Sequence, residues 1–99
     1  MIIVSGHATV KPGALDRARG AMLKAIEATR REEGCLFYSY GEDVTAPDTI
    51  IVLEYWKDWA SLERHFTQPH MAEWVKTLGE VGVVSRDIRA SETGETRPL

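Results

Sequence analysis

The order of hydrophobic patterns along the chain limits its possible folds more than any other feature. Stretches with strand-like alternation begin and end the sequence and form a pair in its middle, and two stretches with helical periodicity separate them. Four strands with helices in the two crossovers, in the order β-α-β-β-α-β, predict a ferredoxin-like α+β fold. Because such crossovers are right-handed, both helical layers are expected on one face of an antiparallel sheet.

Turns and helix-ending residues set the expected bounds of these elements. The predicted strands cover residues 2–10, 35–44, 49–56 and 81–90. The predicted helices cover residues 14–33, 58–67 and 69–79. The chain has 99 residues, which is enough for one domain and too few for two. We therefore expect a single domain over residues 1–91 and a polar C-terminal tail over residues 92–99.

One strand is expected at the centre of the sheet. The segment Thr49–Trp56 is a nearly continuous run of β-branched, aromatic and other large residues, which is typical of a central strand buried on both faces. If both helical layers cover one face, the opposite face of the sheet is left bare. A second copy of the same sheet would cover it, so the pattern predicts an isologous homodimer.

Charge and hydropathy exclude several classes of protein. Twelve Lys and Arg residues against fifteen Asp and Glu residues give a net charge of −3, and no basic patch is present, so nucleic-acid binding has no electrostatic support. No segment approaches the roughly 18 consecutive apolar residues of a membrane span. The single cysteine, Cys35, cannot form an intrachain disulfide, and the N-terminus lacks the pattern of a signal peptide. We therefore expect a cytoplasmic protein.

Common cofactor and metal motifs are missing from the sequence. It has no G-x-G-x-x-G, no Walker loop and no G-x-S-x-G, so neither a nucleotide site nor a serine nucleophile is indicated. His65 and His70 are five residues apart with a helix break between them, which is not the spacing of metal ligands on one helix face. His70, in the first turn of a helix, is expected to be exposed to solvent. These patterns predict no metal site.

His65 is the first candidate for a catalytic residue. It lies beside Leu62 and Phe66 on the predicted apolar stripe of the helix that covers the sheet. An imidazole with a pKa near 6.5 can accept a proton at neutral pH, and a base in an apolar cleft could deprotonate a phenol or quinol. The alternative is a histidine at the edge of the core, hydrogen-bonded to backbone or to Glu54.

Glu54 is the second candidate, because it is a carboxylate within the most apolar strand. A buried charge is costly unless it is paired or protonated. Glu54 could orient His65 or pair with Arg64 or Arg86, and the alternative is a cross-strand or interchain ion pair. Arg86, on the last strand, could bind an acidic group of a substrate.

Aromatic residues and one further histidine are candidates for the walls of a substrate cleft. Flat rings can stack on an aromatic substrate, and tyrosine hydroxyls can hold a substrate oxygen. The predicted substrate-binding residues, besides Arg86, are His7, Tyr38, Tyr55, Trp56, Phe66 and Trp74. For the tryptophans the alternative is core packing. For His7 it is a polar sheet face that meets water or a partner subunit.

Four segments, in this order, resemble one known family. They are Val10-Lys11-Pro12-Gly13, Glu33-Gly34-Cys35, Ile51 to Trp56, and Leu62 to Met71. Together they resemble the antibiotic biosynthesis monooxygenase family, in particular its quinol monooxygenase members, over roughly residues 2–90. The resemblance implies a homodimeric α+β barrel with a cleft between the sheet and the helices of each subunit. It also implies cofactor-independent oxidation of a small phenolic, quinol or anthrone-like substrate by O₂.

The same resemblance leaves other functions open. Some proteins with this fold degrade haem, and some resemble isomerases. The haem-degrading relatives use an asparagine, a tryptophan and a histidine iron ligand at positions that correspond here to His7, His65 and a residue near Trp74 or Val75, so the ligand is missing. A dimeric barrel that only binds a small molecule, or that is associated with stress, is the remaining alternative.

Overall fold

The computed structural model of the protein describes all 99 residues. Its elements are β1 (Ile2–Val10), α1 (Ala14–Thr29), β2 (Cys35–Glu42), β3 (Thr49–Trp56), α2 (Trp59–His65), α3 (Pro69–Val81) and β4 (Val83–Glu92). The four strands form one antiparallel sheet in the order β2-β3-β1-β4. This arrangement confirms the predicted ferredoxin-like α+β fold. No helix is both long enough and apolar enough to cross a membrane.

The largest difference from the predicted bounds is at the end of α1. The helix ends at Thr29, four residues before the predicted end, and the chain continues as a turn to Gly34. In this turn Glu32 N–H donates to the carbonyl of Thr29, at 3.0 Å, so the backbone bonds reach back three residues instead of four. The early end turns Glu32 away from the outer surface of the helix, where a longer helix would have placed it.

The connection between α2 and α3 brings two histidines close to each other. The predicted cap, Asp58, begins α2: its carboxylate accepts hydrogen bonds from the Ser61 N–H at 2.8 Å and the Ser61 hydroxyl at 2.7 Å. Pro69 begins α3 at a position where no backbone N–H is needed. His65 thus ends one helix and His70 begins the next.

The two faces of the sheet differ strongly in burial. Along β1 and β3, even-numbered side chains such as Val4 and Val52 are buried beneath the helices, and odd-numbered ones lie on the opposite face. The strand β3 is central, as predicted, but it is buried on one face only within the single chain, where Ile51 is 42% exposed. The homodimer that would cover the opposite face stays a prediction.

The helices pack unevenly over the sheet, and this opens a cavity. Beneath α1 and α2 lies the main core, made of Ile2, Val4, Ile26, Tyr38, Trp56 and Leu62. The helix α3 packs instead against α1, where Trp74 contacts Ala18 and Ala25. Because α3 is held against α1, space remains between α3 and the sheet on the side of β4.

Candidate active site

A largely apolar cavity of about 380 Å³ lies between the sheet and the helices α2 and α3. Sixteen of its 21 lining residues are hydrophobic, and β4 supplies one wall with Val83, Ile88 and Ala90. This volume falls within the range of small-molecule sites, which combine apolar walls with a few polar groups. The five other lining residues are Glu54, Glu63, His65, Arg86 and Arg89, and Tyr38 and Tyr40, which are counted among the sixteen, add two hydroxyl groups.

His65 is the most unusual polar residue of this cavity. Its side chain is only 1% exposed, and its Nδ1 lies 2.7 Å from Oε2 of Glu32. Its second ring nitrogen, Nε2, is buried and has no hydrogen-bond partner in the protein. Buried polar atoms without partners are rare in folded proteins, and a binding site is one reason for their presence. His65, which lines the apolar cavity, thus has one ring nitrogen without a partner.

Glu32 fixes the tautomer of this imidazole. A carboxylate accepts hydrogen bonds, so Nδ1 of His65 carries the proton and Nε2 keeps its lone pair. Burial lowers the pKa of the His65 imidazole, although the hydrogen bond to Glu32 acts in the opposite direction. The ring is therefore neutral near pH 7, and Nε2 is available to accept a proton.

The same carboxylate oxygen also binds His70. Nε2 of His70 lies 2.8 Å from Oε2 of Glu32, and both side chains are mostly buried, with 20% and 10% of their surfaces exposed. The prediction that His70 is exposed to solvent is therefore wrong. Glu32 was not predicted as a site residue, because the helix was expected to continue to residue 33 and instead ends at Thr29.

Glu54 borders the cavity, but its partner is not one of those expected. Its Oε1 accepts a hydrogen bond of 2.9 Å from Nε1 of Trp56, and neither His65 nor an arginine is bonded to it. Burial raises the pKa of Glu54 to about 7, which the hydrogen bond from Trp56 opposes. The cavity therefore holds a second group that can exchange a proton near neutral pH.

Two tyrosines form a hydrogen-bonded pair on the cavity wall. The hydroxyl oxygens of Tyr38 and Tyr40 are 2.5 Å apart, and the Tyr40 ring packs 6.2 Å from that of Trp74. Burial raises the pKa of Tyr40 to about 12 and also raises the pKa of Tyr38, so both phenols stay protonated. One hydroxyl hydrogen links the pair, and the other remains free to donate to a bound oxygen atom.

The structure brings most of the predicted site residues together. Tyr38, Glu54, His65, Phe66, Trp74 and Arg86 all line the cavity. Trp56 does not line it. Its ring is fully buried 4.7 Å from the His65 ring, so it acts as packing behind the histidine. The cavity wall also contains Tyr40, whose hydroxyl was a candidate to hold a substrate oxygen, and Trp59, Met71 and Leu78, which were not predicted as site residues.

Besides Trp56, two predicted positions are wrong. His7 and Tyr55 lie on the opposite face of the sheet, where His7 pairs with Ile51 and Tyr55 packs 5.3 Å from Phe37. The physical reason is the alternation of strand side chains, which places these odd-numbered residues away from the helices. For His7 the alternative reading, a polar face that meets water or a partner subunit, agrees with its position.

The fold and the apolar cavity define a class of small α+β proteins with a site between sheet and helices. The family model described as "Antibiotic biosynthesis monooxygenase" matches residues 1–77. This chain therefore belongs to the antibiotic biosynthesis monooxygenase family, as its sequence segments indicated.

Several relatives support this assignment. The chain is 31% identical to a protein of Synechocystis without an assigned function, over 99% of this chain and 67% of that protein. It is 29% identical to the Escherichia coli K12 protein named "Probable quinol monooxygenase YgiN", over 95% of this chain and 99% of that protein. A crystal structure from Deinococcus radiodurans, named a "putative antibiotic biosynthesis monooxygenase", has a TM-score of 0.91 at 26% identity and covers 100% of this chain and 98% of its own.

Proposed function

We propose that this protein is a cofactor-independent monooxygenase that oxidises a small phenolic or quinol-type aromatic substrate with O₂. The observation that carries the proposal is the buried, unpartnered Nε2 of His65, a residue that lines an apolar cavity. Family membership and the name of the Escherichia coli relative support the reaction class. The proposal requires no reductant, since the substrate itself can supply the four electrons that reduce O₂ to one product oxygen and one water.

The first step is removal of the substrate's hydroxyl proton by Nε2 of His65. Glu32 acts as a positioning residue, because its hydrogen bond holds the imidazole in the required tautomer and stabilises the imidazolium that forms. The free hydroxyl of the Tyr38–Tyr40 pair donates to the resulting phenolate. The apolar walls keep water away from this electron-rich anion.

Oxidation follows from the chemistry of the phenolate. It passes one electron to O₂, and the resulting radical and superoxide recombine at a ring carbon, forming a C–O bond. The proton held by His65 converts the peroxide into a hydroperoxide. The hydrogen on the same carbon then leaves as a proton, the O–O bond breaks, and hydroxide combines with that proton to form water. A quinone carbonyl remains, and Glu54 borders the cavity as a second group for these proton transfers.

The proposal also includes the oligomeric state and the cellular location of the protein. A homodimer formed through the bare sheet face would bury exposed side chains such as Ile51 and Phe37. A cytoplasmic location agrees with the single half-buried thiol of Cys35.

The test measures O₂ consumption by metal-stripped protein with a panel of quinols and polycyclic phenols. We expect uptake that His65→Gln reduces roughly 10²–10⁴-fold, the usual contribution of a general base. His7→Gln is the matched control, because it makes the same change on the opposite sheet face and should leave uptake unchanged. Circular dichroism verifies that both variants are folded.

Other results would reject parts of the proposal. Equal uptake by wild type and His65→Gln would move the base to another residue, or show background autoxidation if a protein-free control matches. Ligand binding without uptake would favour the carrier function, and conversion of a substrate without uptake would favour an isomerase.

A further inference from the structure

The second cluster of chemically active groups lies behind His65, on the side away from the substrate cavity. Nδ1 of His65, Nε2 of His70 and a carboxylate oxygen of Glu32 all lie within 4.8 Å of one another. Glu32 and His70 do not border the large cavity. His70 instead lines a small surface depression between α1 and α3. The cluster is therefore open to solvent from a different direction than the substrate site.

We infer that Glu32, His65 and His70 form a site for a divalent transition-metal ion of the Zn²⁺ type. Two imidazoles and one carboxylate are a ligand set that suits Zn²⁺ and its neighbours, while Mg²⁺ and Ca²⁺ prefer oxygen ligands alone. Water reaching the partly exposed His70 supplies the fourth ligand. The inference extends the proposed function, because one of the three ligands is the proposed base.

The three ligand atoms are close enough for side-chain movements to bring them around one ion. Ligand atoms of a tetrahedral zinc site lie about 2.0–2.2 Å from the metal and hence about 3.3 Å from one another. Oε2 of Glu32 is 2.7 Å from the His65 nitrogen and 2.8 Å from the His70 nitrogen. To hold the ion, each of these pairs separates by about half an ångström, and the two histidine nitrogens, which now lie within 4.8 Å of each other, approach to about 3.3 Å. Three metal bonds then replace two hydrogen bonds.

Each ligand comes from a different element, which gives the ion a structural effect. Glu32 lies in the turn after α1, His65 in the last turn of α2 and His70 in the first turn of α3. His65 and His70 are five residues apart, a spacing that does not suit two metal ligands on one helix. It is suitable here, because Pro69 begins a new helix and the two histidines lie on different helices. An ion bound to all three would tie the helices together and stabilise the folded state.

Metal binding would also turn off the proposed base. A metal bound at Nδ1 leaves the proton of the neutral imidazole on Nε2, so the nitrogen proposed as the base becomes a donor instead of an acceptor. His65 could then no longer accept the substrate's proton. We therefore expect the ion to inhibit the oxidation reversibly, without occupying the substrate cavity.

The test titrates ZnCl₂ into EDTA-dialysed, tag-free protein by isothermal calorimetry. We expect one Zn²⁺ per chain and a higher melting temperature. For His70→Ala we expect affinity to fall more than about 100-fold, because losing even an outer partner of a metal ligand costs 10–100-fold. His7→Ala, a histidine on the opposite sheet face, is the matched control and should bind Zn²⁺ like wild type.

A second measurement separates this inference from the proposed oxidation. In nitrogen NMR spectra of the His65 ring, Zn²⁺ should move the proton from Nδ1 to Nε2 in wild type and leave the ring unchanged in His70→Ala. The metal site is wrong if binding is absent, or equally tight in His70→Ala. If Zn²⁺ binds as expected but no substrate consumes O₂, the metal site stands and the proposed oxidation fails. If Zn²⁺ binds but leaves O₂ uptake unchanged, the inhibitory role is overturned.

Discussion

At the scale of single residues, the candidate site depends on where two carboxylates lie relative to one histidine. The sequence identified His65 and Glu54 from their residue types and from their positions in apolar segments. It could not identify Glu32, because that contact spans 33 positions and depends on the end of a helix. The residue types that can do chemistry are visible in a sequence, whereas hydrogen bonds between distant segments follow from the packed structure.

The buried Glu54 makes a prediction about stability and pH. Its pKa is about 7 in the folded protein and near 4.5 when unfolded, so between these values the unfolded chain loses a proton that the folded chain keeps. The contribution of Glu54 to the free energy of unfolding is therefore most favourable below pH 4.5, declines as pH rises towards 7 and is constant above about pH 7. Glu54→Gln keeps an acceptor for the Trp56 N–H and removes the cost of burying a charged carboxylate at high pH.

We expect Glu54→Gln to be more stable than wild type by roughly 1–3 kcal/mol at pH 8, and by little at pH 4.5. Urea unfolding at several pH values measures the difference. The exposed Glu63→Gln is the control and should show no such trend. A difference that is the same at all pH values would mean that the pKa of Glu54 is not raised by burial.

At the scale of elements, the sequence was most informative where the pattern is regular. The bounds of β1 and β3 agree with the prediction, because alternation and β-branched residues mark them clearly. The end of α1 was predicted four residues too late, since Gly34 is a typical helix-ending residue and nothing before it marks a stop. The turn from Arg30 to Gly34 is set by backbone bonds and by burial of Thr29, which a single-sequence pattern does not show.

The capping residue of α2 allows a test at this scale. Asp58→Ala removes both hydrogen bonds to Ser61, so we expect a loss of about 1 kcal/mol in the free energy of unfolding. Because α2 carries His65 in its last turn, O₂ uptake should fall as well. Asp58→Asn retains a capping oxygen and should be close to wild type in both measurements. Equal stability of the two variants in urea unfolding would show that the cap contributes nothing.

At the scale of the whole molecule, the bare face of the sheet is the main unexplained surface. The sequence predicted that β3 is buried on both faces, and in one chain it is not, since its Ile51 is 42% exposed. Phe37 of the neighbouring strand β2 is 43% exposed on the same face. Soluble monomers rarely expose large contiguous apolar patches, so exposed apolar side chains on a sheet face favour a partner there. A twofold axis through this face would place the same residues of two subunits against each other.

We therefore predict that the protein is a homodimer and that Ile51→Glu converts it to a monomer. The substitution places a charge in the middle of the interface, where its desolvation has no compensating partner. Light scattering after gel filtration should give twice the 11.1 kDa chain mass for wild type and the mass of one chain for the variant. Val44→Glu is the control, because Val44 is fully exposed in the turn between β2 and β3. A wild-type mass of one chain at micromolar concentration would reject the dimer and leave the apolar face for a different partner.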